Sequence, residues 1–189
     1  MHALPLWLVT LRLLLGPALV LLALNHRRGL WLVIPIVVAL ISDIYDGRIA
    51  RHYGVATANL RRYDSIADTV FYVCVAVSAW ILERGALVAV AKLLITILIL
   101  EAFRYVFDFL KFRREASYHT WSAKLWGLFL AVCASALLGW SIAGLLLRAT
   151  LIIGIISDLE GIVISAILPQ WTHDVPTVFH AARLRQEAK

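Results

Sequence analysis

The chain has 189 residues, 62% of them hydrophobic and only 16% charged, with a mean hydropathy of +0.85. Such a profile excludes an ordinary soluble domain and makes the bilayer the solvent of the fold. The formal net charge of +6 suits contact with anionic headgroups or a phosphorylated substrate. The basic residues are scattered around a hydrophobic bundle and form no soluble basic domain, which excludes nucleic acid as a partner.

Apolar runs of about 20 residues span a bilayer as helices. The sequence predicts an all-α membrane protein with six of them, Leu4–Leu24, Leu30–Ala50, Asp64–Leu82, Leu87–Leu110, Leu125–Leu147 and Ala149–Leu168. The first is read as a retained helix and not as a secretory leader. Arg12 interrupts it, its start carries no basic residue, and no small-x-small site precedes Asn25. Cys74 in the third span and Cys133 in the fifth read as small apolar packing residues. In the fourth span Glu101, Arg104 and Asp108 stand three and four residues apart, so they can neutralise one another along one face. Asp158 and Glu160 lie mid-span in the sixth and are two residues apart. They cannot share a narrow face, so at least one needs a partner on another helix or a proton.

These spans make one membrane domain over residues 1–170, and residues 171–189 form a polar C-terminal tail. Within that tail VFHAARLRQ reads either as a short amphipathic surface helix or as a frayed end. Most of the seven tryptophans fall near span ends, where interfacial anchoring accounts for them. Arg51, Arg61 and Arg62, then Lys111, Arg113 and Arg114, then Arg183, Arg185 and Lys189 load one side of the predicted bundle with positive charge. By the positive-inside rule that side is cytoplasmic, although Arg27, Arg28, Arg84 and Arg148 flank the opposite turns.

The costliest residues are four carboxylates in the segment SDIYDGRIARHYGVATANLRRYDSIADT, residues 42–69. An aspartate near hydrocarbon costs a few kcal/mol or more, so Asp43, Asp46, Asp64 and Asp68 require a compensating cation. If the second span continues as helix, Asp43, Asp46, Gly47 and Ala50 fall within an arc of about 100°, with Arg51 at its edge. Asp64 and Asp68 lie one turn apart on the third span. A turn containing Gly54 and Asn59 lets the two faces converge into a carboxylate cage. Hard oxygen ligands select Mg²⁺, Mn²⁺ or Ca²⁺, and four carboxylates balance two divalent ions, a pair that recurs in phosphoryl-transfer sites. Gly47 and Ala50 leave room on that face for a ligand, and Arg51 supplies a fixed positive charge for a phosphate. The competing reading pairs the acids with Arg48, Arg51, Arg61 and Arg62 as ordinary helix-end residues.

At these positions the chain resembles the CDP-alcohol phosphotransferase family of integral membrane enzymes, whose motif is D-x-x-D-G-x-x-A-R, eight residues, then G-x-x-x-D-x-x-x-D. Asp43, Asp46, Gly47, Ala50, Arg51, Asp64 and Asp68 match it, and Leu60 stands where the family has its first glycine of the second half. Arg12 and Pro17 in the first span also occupy familiar places. The resemblance implies transfer of a phosphatidyl or other substituted phosphate group from a CDP-linked donor such as CDP-diacylglycerol to an alcohol, with release of CMP. It further implies that Asp43, Asp46, Asp64 and Asp68 bind Mg²⁺ or Mn²⁺, as two ions. Asp68 would act as the general base, and Gly47, Ala50 and Arg51 would line the CDP pocket.

Leu60 shares the stripe of Asp64 and Asp68 and narrows the nucleotide pocket. Arg104, Arg113, Arg114 and Lys124, together with His119, are candidate contacts for an acceptor phosphate or a lipid headgroup, while Arg113 and Arg114 also read as topological charge at a loop. The resemblance suggests a homodimer, the charge distribution puts the aspartate cluster on the cytoplasmic side, and the expected location is a cell inner membrane. The alternatives are a catalytically impaired member serving as a scaffold, a cation-binding transporter, and an aspartate-rich prenyltransferase.

Overall fold

The computed structural model describes residues 4–53, 57–114, 118 and 120–187, except for the side chains of residues 50–52, 58, 59, 61 and 187. Among the described residues seven helices follow in order: α1 Leu4–Leu24, α2 Leu30–His52, α3 Ala58–Ala89, α4 Ala91–Phe112, α5 Trp121–Trp140, α6 Leu145–Ile167 and α7 Val178–Glu187. Five of them, α1, α2, α3, α5 and α6, are long and apolar enough to cross a membrane. The fourth predicted span corresponds to α4, which has the length but also carries Lys92, Glu101, Arg104, Asp108 and Lys111. Large apolar side chains such as Leu14, Leu21, Ile34, Leu98 and Leu145 face outward, as lipid-facing residues do. The chain divides into two compact units, Met1–Leu87 with Ala131–Ala143, and Val88–Leu130 with Gly144–Lys189.

In the first unit α1 and α2 form a helical hairpin. His26 takes a left-handed φ of 52° just beyond α1. Its N–H donates to Ala23 O at 2.9 Å and that of Arg27 to Leu22 O at 2.9 Å, a paired arrangement that satisfies the last carbonyls of the helix. Gly29, at φ 64°, then turns the chain so that its carbonyl receives the first N–H groups of α2. The buried residues of α1 are Pro5, Val9, Arg12, Gly16, Leu19 and Ala23, alternating steps of four and three, the row that one helix presses into another. On α2 the corresponding row runs Leu32, Ile36, Ala39, Ser42 and Asp46. Leu19, Leu32, Ile36, Phe71, Leu137 and Leu138 fill the core between them.

Helix boundaries differ from expectation by several residues, with α3 starting at Ala58, α4 at Ala91, α5 at Trp121 and α6 at Leu145, and two of the ends have a clear physical cause. The third span was predicted to end at Leu82, where the charged ERG segment begins, yet α3 bends at Glu83 (φ −134°, ψ 33°) and continues to Ala89. The kink is held because Glu83 accepts hydrogen bonds from Arg28 at 2.5 Å and from the Ser141 hydroxyl at 2.7 Å. The fifth span was predicted to run to Leu147. It ends at Trp140, because Ser141 adopts a left-handed φ of 58° with its N–H on Leu137 O, and Gly144 a φ of 63°. Arg148 is therefore not at the turn but exposed within the first turns of α6.

In the second unit α4 packs along α6. Arg104 crosses to Asp158 with an Nη1 to Oδ1 distance of 3.0 Å. Asp108 accepts from the Ser165 hydroxyl, which is also bonded to the Tyr118 hydroxyl at 2.8 Å. Burial raises the pKa of the Tyr118 phenol, so it keeps its proton in this network. Lys111 Nζ donates to the carbonyls of Ser165 at 2.7 Å and Ala166 at 3.1 Å, where a cation satisfies the exposed acceptors of a helix end. Glu160 accepts from Ser122 on the first half of α5. Arg104, Asp108 and Lys111 of α4 thus each find a partner on α6. The tail is ordered: Val175 and Ala181 are fully buried with Tyr118, Ile164 and Leu168, so VFHAARLRQ is a packed helix and not a frayed end.

Candidate metal and phosphate site

Asp43 and Asp46 come from α2 and Asp64 and Asp68 from α3, each pair about one turn apart, and the structure brings all four onto one guanidinium. Arg12 of α1 donates through Nη1 to Asp43 and Asp68, and through Nη2 to Asp46 at 2.7 Å and to Asp64. The burial is graded. The side chain of Arg12 is 2% exposed and that of Asp46 5%, whereas Asp64, Asp68 and Asp43 retain 34%, 37% and 47%. Asp46 is therefore the floor of the cluster, and the other three form a rim that a ligand can reach.

Local sequence explains why these helices meet here. Gly16 lies one turn beyond Arg12 on the same buried row. A Cβ added to it would stand 3.2 Å from Cys74 Sγ and 3.3 Å from Phe71 Cα, so the missing side chain lets α1 and α3 approach closely. On the other side of Arg12, the Thr10 and Tyr63 hydroxyls lie 3.2 Å apart and join α1 to the start of α3. That start is capped by Thr57, whose Oγ1 accepts the Leu60 N–H at 3.2 Å.

Carboxylate oxygens of Asp43, Asp64 and Asp68 lie within 4.8 Å of one another. Three hard oxygen donors at that separation fit a divalent cation of the Mg²⁺ or Mn²⁺ type. Gly47 is half-buried on α2 beside Asp46. Ala50 and Arg51 belong to α2, but their side chains lie outside the described residues, as does His119. Leu60 is half-buried on the first turn of α3.

The other basic candidates belong to the second unit. Arg104 is paired with Asp158 and keeps 30% of its side chain exposed. Arg113 is the left-handed C-cap of α4. Arg114 lies over the Trp171 ring at 5.4 Å and Lys124 over Trp121 at 4.8 Å, contacts typical of cations beside aromatic faces.

Arg12 is the residue whose position in the site the sequence reading did not foresee. It figured as an interruption of an apolar run and as a familiar position of the first span, without a role in the site. The signal was a lone arginine in the middle of a predicted span, which requires a buried partner as much as an aspartate does.

Apolar helices that carry a hard-oxygen acidic cluster define an integral membrane protein built for a charged ligand. The family model for CDP-alcohol phosphatidyltransferases matches residues 2–166, and the chain belongs to that family. Its reaction class is accordingly transfer to an alcohol from a CDP-linked donor, and divalent metal is the family's cofactor. No curated protein and no solved structure matches the chain significantly.

Proposed function

We propose that the chain transfers a phosphatidyl group from a CDP-linked lipid such as CDP-diacylglycerol to an alcohol and releases CMP. The observation that carries this reading is the convergence of Asp43, Asp64 and Asp68 within 4.8 Å, with Asp46 beneath them. These four carboxylates are the proposed ligands for Mg²⁺ or Mn²⁺, as two ions. The chemistry such ions supply is neutralisation of the diphosphate and of the charge that builds on departing CMP. Gly47, Ala50 and Arg51 extend the same helix face and are the proposed CDP contacts. Asp68, on the open rim, takes the proton of the acceptor hydroxyl as its oxygen bonds to phosphorus and the bond from phosphorus to the CMP oxygen breaks. Arg104, Arg113, Arg114 and Lys124 are the basic groups proposed for an acceptor phosphate or headgroup.

The six-span topology belongs to the same proposal. It is supported by the α6 partners of Arg104, Asp108 and Lys111, which lower the cost of those three charges of α4 in lipid. The distribution of basic residues supports a cytoplasmic site in an inner membrane, and a homodimer follows from the family resemblance alone. Incubation of the purified protein with CDP-diacylglycerol, Mg²⁺ and a panel of alcohols, followed by mass spectrometry of the lipids, tests the reaction. Metal-dependent CMP release that disappears in Asp68→Asn, with expression retained, is the expected result. Unchanged turnover in that variant removes Asp68 as the base, and no CMP release from any CDP-linked lipid removes the reaction.

A further inference from the structure

Arg12 does more than neutralise: its two Nη atoms donate to one oxygen of each of the four carboxylates. Three of those carboxylates form the trio close enough to hold a cation. An oxygen lone pair directed at an N–H is not offered to a metal at the same time, and a guanidinium beside a divalent ion repels it. The side chain is nearly sealed from solvent, so this repulsion is weakly screened. Its Nε, also buried, has no hydrogen-bond partner among the described residues, so the planar group is anchored through its Nη atoms and not through its stem. Such a group can withdraw from the rim without breaking a bond at Nε.

We infer that Arg12 is an internal competitor of the divalent cation, holding the four carboxylates together and yielding the rim oxygens when the ion binds. The inference rests on the metal-binding reading of the aspartates given above. It makes Arg12 a positioning residue and not a catalytic one, and it sets metal affinity below what four carboxylates alone would give.

The test compares wild type, Arg12→Gln and Arg12→Lys, purified into lipid nanodiscs, by Mn²⁺ titration with electron paramagnetic resonance and by thermal unfolding with EDTA or with Mn²⁺. Arg12→Lys keeps a charge in the bundle and serves where Arg12→Gln does not fold; its single ammonium reaches fewer oxygens than a guanidinium fork. Both variants are expected to be less heat-stable than wild type in EDTA. They should bind Mn²⁺ at least tenfold more tightly, equivalent to about 1.4 kcal/mol, and gain more in Tm from Mn²⁺. Equal or weaker Mn²⁺ binding by the folded variants, with wild type binding normally, overturns the competition. Absence of specific Mn²⁺ binding in wild type and variants alike overturns the metal reading itself.

Discussion

Removing Arg104 should damage the protein more than removing its partner, because the two ends of that ion pair differ in exposure. Asp158 is fully sealed, with 0% of its side chain exposed, while Arg104 keeps 30%. At 3.0 Å and an effective dielectric of about 20 the bare attraction is about 5 kcal/mol. Truncation leaves the carboxylate without its cation, so Arg104→Met should cost about 2–4 kcal/mol by stranding a buried carboxylate. For a chain of this size that is a fall in Tm of roughly 5–15 °C. Asp158→Leu leaves a guanidinium whose long flexible stem can carry it toward the membrane surface, and should cost about half as much. The double variant replaces the pair with apolar bulk and should recover most of the Arg104→Met loss. A double-mutant cycle on thermal unfolding in detergent, with circular dichroism as the probe, measures all three. Equal losses for the single variants, or strict additivity in the double, refute the reasoning. The same proteins separate structure from binding, since an acceptor contact at Arg104 raises the acceptor KM in the double variant even where stability is restored.

Three further outcomes follow from the packing. Gly154→Ala places a Cβ 2.4 Å from Ile97 Cδ1 and 2.6 Å from the Trp126 indole nitrogen, and should destabilise by about 1–3 kcal/mol through overpacking. Gly161→Ala meets the flexible stem of Arg104, with Cδ at 3.0 Å, and should cost less than Gly154→Ala in the same unfolding assay. Leu60→Gly removes side-chain bulk from the first turn of α3 and should preserve or increase affinity for a CDP-linked donor, measured by calorimetry; a sharp loss would give Leu60 a binding role of its own.

The helices were legible because each must bury its backbone polar groups internally and show lipid an apolar surface, which leaves long apolar runs in the sequence. The aspartate pairs were legible because their spacing within one helix fixes a shared face. Contacts between helices follow no such period. The pairing of Arg12 with residues 31 to 56 positions further along could not be read from spacing within α1, and the spacing of Arg104 and Asp108 within α4 gave no sign of their contacts with Asp158 and Ser165 on α6. Charge misplaced one boundary for a related reason. Arg148 resembled a turn marker, but a membrane helix ends where the backbone leaves the helical region, at Ser141 and Gly144.

The row of α1 that carries Arg12 also bears on the order of assembly. During synthesis α1 precedes the helices that neutralise it, so the bilayer first receives an arginine without aspartates, at a cost of about 2.5–3.5 kcal/mol offset by the apolar residues around it. The α1–α2 hairpin brings two carboxylates and the arrival of α3 brings two more. Each newly docked helix deepens the electrostatic well at one point, which favours the native register over sliding of the three smooth apolar helices against one another. A chain halted after α2 therefore has two of the four carboxylates that Arg12 bonds, and α3 supplies the other two.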